Sequence, residues 1–259
     1  MRKRIHFFKD WKLVWQMSFL FIVFMTVSCI VNTGIVYTKT KNLFLKERSE
    51  NFMNLANFTA LIMEQDKNID WLLAYWENHY GDMKIVYDNP AAADSAYHEF
   101  FQKNPNIDTR NLTNAILDSL PPEAQLNFAE YKYMKWLDNF NTLMREYKPL
   151  YLSAYAVREN ADQFFYISAI NRNGSRDTGA FDAFKLGTTY TSKNGSHPVR
   201  KKTWDTGLAT GEIESIENGY YHVYSPVVVS GKTVCLIAVT LETKTVNKEL
   251  HRKSVYVQN

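Results

Sequence analysis

Tyr221-His-Val-Tyr-Ser-Pro-Val-Val-Val-Ser-Gly-Lys-Thr-Val-Cys-Leu-Ile-Ala-Val-Thr-Leu241 is two runs rich in β-branched and aromatic residues, joined at Ser230-Gly231. A Ser-Gly pair between two such runs predicts a tight hairpin, with Tyr220 to Val228 and Thr233 to Thr243 as its strands. Upstream, Gly211 to Glu217 reads as another strand, joined through Asn218-Gly219, a pair that tolerates the positive φ a type I′ turn requires. Tyr151 to Arg158 and Gln163 to Ile170 flank the polar turn Glu159-Asn-Ala-Asp162 and predict a second hairpin. Between the two strand groups, Asn171 to Gly195 reads as a loop rich in Gly, Asp and Thr, and His197 to Asp205 as a short helix.

Ahead of Pro149 the period is helical. Leu126, Ala129, Tyr133, Trp136, Phe140, Leu143 and Tyr147 step by three and four, so a helix is predicted from about Glu123 to just before Pro149, whose ring disfavours helical geometry in the residue ahead of it. Phe52, Leu55, Thr59, Ile62, Asp66, Ile69, Leu73 and Trp76 form a similar seam, widened by Phe58, Leu61 and Leu72. No Gly or Pro lies between Gly34 and Gly81, so this stalk helix is expected to run on from the preceding apolar segment almost unbroken. Asp82 to Leu120, punctuated by Asn89-Pro90, Asn104-Pro105 and Pro121-Pro122, reads as shorter helices and loops. The element order predicts an α+β chain: helices first, then a five-stranded antiparallel sheet.

Leu13 to Thr38 contains no charged side chain and follows the basic start Met1-Arg-Lys-Arg. As a helix it is roughly 39 Å long, enough for a hydrocarbon core of about 30 Å. Trp11, Trp15 and Tyr37 sit where interfacial aromatics belong. Arg2, Lys3, Arg4, Lys9 and Lys12 favour a cytoplasmic N-terminus and an extracytoplasmic main domain, against Lys39, Lys41, Lys46 and Arg48 on the other flank. A cleaved signal peptide shares the basic start, but this apolar stretch is too long and lacks a small-x-small exit. Lipid attachment at Cys29 is the other alternative. Thr26-Val-Ser-Cys29 has Thr where Leu is usual, and apolar residues continue to Tyr37.

With 46% apolar residues and a net charge of +3, the chain offers no basic stripe for nucleic acid. Arg200-Lys-Lys202 reads as a solvated helix end. Cys29 and Cys235 provide neither a disulfide framework nor a thiol metal site. The six histidines show no metal-ligand spacing, and no nucleophile elbow, zinc helix or phosphate-cradling glycine loop occurs, so no catalytic residue, metal or cofactor is expected.

Tyr224-Ser-Pro226-Val227, the Gly231 turn, the apolar run Thr233 to Leu241 and Trp204-Asp-Thr-Gly207 before Gly211-Glu-Ile resemble the closing phrase of the Cache family of extracytoplasmic PAS-like sensor domains. The resemblance covers roughly Leu43 to Leu250, with its sharper motifs in the last 60 or so residues. Leu236-Ile-Ala-Val-Thr240 departs from it where a Gly and an Asp are common, and the helical stretch Asp82 to Leu120 is large for a minimal domain. It implies a bacterial membrane receptor in which a small molecule binds between one sheet face and the segment Asn171 to Asp205. Tyr155, Tyr166, Arg200, Trp204 and Tyr224 are the candidate ligand-binding residues: Arg to grip a carboxylate bidentately, aromatics to wall the apolar part and phenols to orient it. Asp177 and Asp182 are candidates for an amine or a cation. By strand parity Phe164, Tyr166 and Ser168 share a face, as do Tyr151, Ser153 and Tyr155, while Tyr221 and Tyr224 point to opposite faces.

The domains expected on this reading are a cytoplasmic basic tail (1–12), a membrane helix (13–38), a helical stalk and membrane-distal segment (39–148), the sheet domain (149–243) and a charged C-terminal helix (244–259). That last helix, with Lys244 to Lys253, leads toward a second span in a longer receptor; a single-span accessory is the alternative. A homodimer through the stalk helices is expected. The helical stripes also leave open a membrane-tethered assembly or adhesion subunit without a small ligand.

Overall fold

The computed structural model describes residues 3–87, 89, 91–108, 111–158, 162–170, 184–190, 198–210 and 220–242. The chain divides into two compact units, Met1–Arg48 and Ser49–Asn259.

In the first unit, Lys12–Thr40 is long and apolar enough to cross a membrane, and its large apolar side chains from Leu13 to Tyr37 are exposed along the whole stretch. Two threonines there bond the helix itself: Thr26 Oγ1 donates to Ile22 O at 2.8 Å and Thr38 Oγ1 to Gly34 O at 2.9 Å. Hydroxyls bonded in this way add little cost in hydrocarbon.

The helical elements are α1 (Lys3–Glu64), α2 (Ile69–His79), α3 (Ala92–Lys103), α4 (Asn114–Ser119), α5 (Pro122–Tyr147) and α6 (Pro198–Thr206). α5 begins on a proline whose missing N–H costs nothing at a helix start, and ends at Lys148 in the left-handed region, one residue ahead of Pro149. The expected seam from Phe52 to Trp76 is not one helix. α1 stops at Glu64, where the Asp66 side chain takes the Asn68 N–H and the Asn68 side chain is drawn to a distant segment. Asn68 N–H donates to Asp66 Oδ1 at 3.4 Å, and the buried Asn68 amide donates to Leu112 O at 3.2 Å and Asn114 Oδ1 at 2.9 Å. Six of the eight seam residues are nevertheless buried, Phe52, Leu55 and Thr59 in α1 and Ile69, Leu73 and Trp76 in α2, while Ile62 and Asp66 are half-buried. Trp76 Nε1 donates to Ala129 O of α5 at 3.0 Å and its ring meets Tyr133 edge-on, which locks α2 to α5. Phe58 and Leu61, expected to widen the packed stripe, are 50% and 51% exposed.

Five strands, β1 (Tyr151–Val157), β2 (Gln163–Ile170), β3 (Thr189–Tyr190), β4 (Tyr220–Val229) and β5 (Lys232–Glu242), form one sheet in the order β3-β2-β1-β5-β4. All neighbours are antiparallel. The β4–β5 turn is Ser230 and Gly231, both at positive φ, as the hairpin reading requires. The short edge strand Thr189–Tyr190 falls inside the segment expected to be a loop, and two residues are too few to leave an alternating pattern. The expected strand Gly211 to Glu217, the Asn218-Gly219 turn and the helix from Lys244 lie outside the described residues.

Two register slips shape the sheet. Ala154 pairs with Ile167 but Tyr155 with Phe165, so Tyr166 is an extra residue in β2. Val227 pairs with Cys235 but Val228 with Thr233, so Val234 is an extra residue in β5. β4 lies at an edge. There Tyr224 exchanges backbone bonds with Thr210 and Pro226 has no N–H to offer, a placement in which proline costs a sheet nothing.

Candidate functional site

One sheet face carries Ala154, Ile167, Ile237, Val239 and Val223 and belongs to the helix side. The other is a grid set by the register. Its first row is Phe165, Tyr155, Leu236 and Pro226; its second Ser168, Ser153, Ala238 and Tyr224; its third Tyr151, Thr240 and His222. Three small residues in the middle row lie between larger neighbours, Phe165 and Tyr155 on one side and Tyr151 and His222 on the other, and this run of small side chains across the central strands is the candidate trough. Its floor is polar yet buried. Ser153 and Ser168 are buried and share a hydrogen bond at 3.0 Å; in the flanking third row the half-buried His222 Nδ1 lies 2.9 Å from Thr240 Oγ1. Burial, with Tyr220 beside it, pushes the Tyr151 hydroxyl up, so it remains a proton donor.

α6 covers one end of this face. Val199 packs into a cluster with Tyr155, Phe165, Tyr224, Leu236 and Ala238, against which Trp204, Phe184 and Val157 are half-buried. Helical spacing turns Val199, Arg200 and Thr203 inward, and all three are buried. Lys201 and Lys202 are exposed, Lys201 pairing with Asp205 at 2.6 Å. Arg200 is therefore not part of a solvated helix end: only 2% of it is exposed. Thr203 Oγ1 donates to Val199 O at 3.0 Å and also meets Thr210 Oγ1, tying α6 to the segment that bridges β4 at Tyr224. Beyond Trp204, an open groove of about 450 Å³ runs past Gly207, Val228, Gly231 and Thr233 at the hairpin tip.

Of the five candidate residues, Tyr155, Trp204 and Tyr224 meet in this cluster, and Arg200 is buried on the same helix as Val199 and Trp204. Tyr166 is on the helix side. Its hydroxyl donates to Glu77 Oε2 of α2 at 3.1 Å, and Arg158 Nη2 pairs with Glu77 Oε1. Burial first, then the Glu77 charge, pushes the Tyr166 hydroxyl well up. Parity failed here because the extra residue in β2 moves Tyr166 and Phe164 to one face and Ser168 to the other. Tyr221 and Tyr224 do point to opposite faces: Tyr221 donates to Ser49 of α1, and Tyr224 stacks on His222 with planes 9° apart. Asp177 and Asp182 lie outside the described residues. Among the described residues, no three His, Cys, Asp or Glu side chains converge as a metal site.

Ser153, Ser168, Thr240 and His222 were not singled out by the sequence. Each is an ordinary polar residue in its own strand, and only the pairing register brings them together; the one local signal is Ser153 between two tyrosines that share its face.

No protein-family model matches the sequence, and no curated protein matches it. Among solved structures, the chain is similar to the A. aeolicus nlh2 GAF domain in an inactive state (TM-score 0.26, 10% identity, 64% of this chain and 90% of that one). It is also similar to the ligand-binding domain of the Campylobacter jejuni chemoreceptor Tlp3 in complex with L-norvaline (TM-score 0.28, 8% identity, 79% and 63%). The sensory domain of the same chemoreceptor gives a TM-score of 0.25 at 11% identity, over 73% and 66%.

Proposed function

We propose that this chain is the extracytoplasmic ligand-sensing input domain of a membrane-anchored bacterial signalling receptor of the Cache, PAS-like type. The observation that carries this is the trough. A buried hydroxyl floor walled by Tyr155, Tyr224 and Trp204, with the buried Arg200 on the helix above, suits a small anionic or zwitterionic molecule better than a plain apolar core does. Lys12–Thr40 anchors the domain, and Arg200 receives the ligand's carboxylate. Ligand binding signals only if one arrangement of α6 over the sheet binds it better than another. Neighbouring copies pair through the exposed face of α1 that carries Asn54, Phe58 and Leu61 at three-four spacing.

The test is a thermal-shift screen of the full chain in detergent against amino acids, short carboxylates and amines. A ligand at one hundred times its Kd stabilises by about 2.7 kcal/mol, and Arg200→Met abolishes that gain. If nothing stabilises the domain and Phe58→Glu with Leu61→Glu dissolves a larger complex, the chain is instead a tethered assembly subunit, the reading favoured by those two exposed side chains. A dimer that survives the same pair of substitutions rules out this seam.

A further inference from the structure

Glu64 is the last residue of α1, and the last turn of that helix has no basic side chain. A carboxylate there opposes the helix dipole, whose C-terminal end is negative, so local preference does not explain it. Its partner does: Val228 N–H of β4 donates to Glu64 Oε1 at 2.6 Å, a short charge-assisted bond in a half-buried setting. Val228 sits at the register slip between β4 and β5, on the edge where Pro226 offers no N–H. The same strand carries the roof of the candidate site. Tyr224 bridges Thr210 just beyond α6, and Val228 lies under Gly207, whose missing Cβ would come 3.8 Å from Val228 Cγ2. A second tie joins the same two elements, Tyr221 to Ser49. The span from Ser49 to Glu64 rises about 22 Å along the helix. The span from Tyr221 to Val228 extends about 23 Å along the strand. Strand and helix are thus clipped at matched intervals.

We propose that Glu64 is a coupling latch: through Val228 it ties the end of α1 to the edge strand that supports α6, so that a displacement of α6 over the trough reaches α1. This regulation rests on the ligand-sensing reading of the site. Glu64 acts through Val228 and is a positioning residue.

A thermodynamic cycle tests it without any ligand. Amide hydrogen exchange is followed in the full chain in detergent for wild type, Trp204→Ala, Glu64→Leu and the double variant. Trp204→Ala loosens the roof and is expected to speed exchange of residues 55–64 about tenfold when Glu64 is present, and less than about twofold in the Glu64→Leu background. Equal effects in both backgrounds, or none in either, overturn the latch. Glu64→Gln keeps a weaker, neutral acceptor and falls between the two. It carries the test alone if Glu64→Leu does not fold: the Val228 amide must then exchange faster than in wild type, and an unchanged rate overturns the proposal. Since no ligand enters, a failed ligand screen and a failed cycle are separate results.

Discussion

Removing the Asp66 carboxylate tests the joint that divides the expected long seam into α1 and α2. Lys132 Nζ of α5 lies 2.6 Å from Asp66 Oδ2, Trp136 Nε1 donates to the same oxygen at 3.2 Å, and the paired side chains are 17% and 11% exposed. An exposed pair contributes about 0–1 kcal/mol, whereas breaking a fully buried one costs about 3–5 kcal/mol by stranding a charge. This pair is nearer the second case, but Lys132 keeps some water, so Asp66→Ala is expected to cost about 2–3 kcal/mol, including the orphaned Trp136 N–H. For a domain of this size that is a fall in Tm of about 5–10 °C. Lys132→Met leaves Asp66 two N–H donors and is expected to cost about half as much. The double variant strands neither charge, so the two losses do not add, and a coupling of about 1–2 kcal/mol appears. Urea titrations of the four proteins in detergent, followed by far-UV circular dichroism, measure it. Additive losses, or an Asp66→Ala variant within about 0.5 kcal/mol of wild type, would show that the joint is held by Asn68 and apolar packing alone.

Three further substitutions probe other parts of the molecule. Tyr166→Phe removes the donor to Glu77 and is expected to cost about 1.5 kcal/mol while leaving any ligand-induced stabilisation intact; a lost ligand response would contradict its position on the helix side. Gly187→Ala forces a side chain into φ +84°, worth about 1–2 kcal/mol, and sets a Cβ 2.3 Å from the Tyr80 ring. A Tyr80→Ala background should restore the share due to the clash but not the backbone share, and a neutral Gly187→Ala on chemical denaturation is the adverse result. Glu130 has its carboxyl pushed up by burial, partly countered by the Lys84 amide that donates to it at 2.6 Å. A raised folded value means that the associated stability is present below the ordinary value of 4.5 and is lost as pH rises through the folded one. Glu130→Gln should therefore gain on wild type from acid to neutral pH in melting curves, and parallel profiles would refute the assignment.

The parts of the fold that were legible carry their own punctuation. Ser230-Gly231 marks the β4–β5 turn and Pro122 with Pro149 brackets α5, because glycine and proline act through local backbone sterics. The break after Glu64 was not legible. Gln65-Asp66-Lys67-Asn68 contains neither residue, Asp66 and Ile69 continue the three-four spacing, and the stop depends on acceptors at Leu112 and Asn114, more than forty residues away. The candidate site divides on the same principle. Aromatic and basic residues near Trp204 stand out by type, so four of them were found on or above one face. The Ser153–Ser168 and His222–Thr240 pairs exist only through register, and the extra residue at Tyr166 reverses the side on which the parity rule places half of β2.

Pro226 and the capped Val228 amide have a consequence for the protein at high local concentration. A sheet border with vacant donors invites the border of the next molecule, and such zippering propagates into fibres. Here the stretch from Tyr224 to Val228 is closed by a backbone bridge, an imino acid and a carboxylate in turn. Crowded copies can therefore meet without their sheets fusing along this stretch.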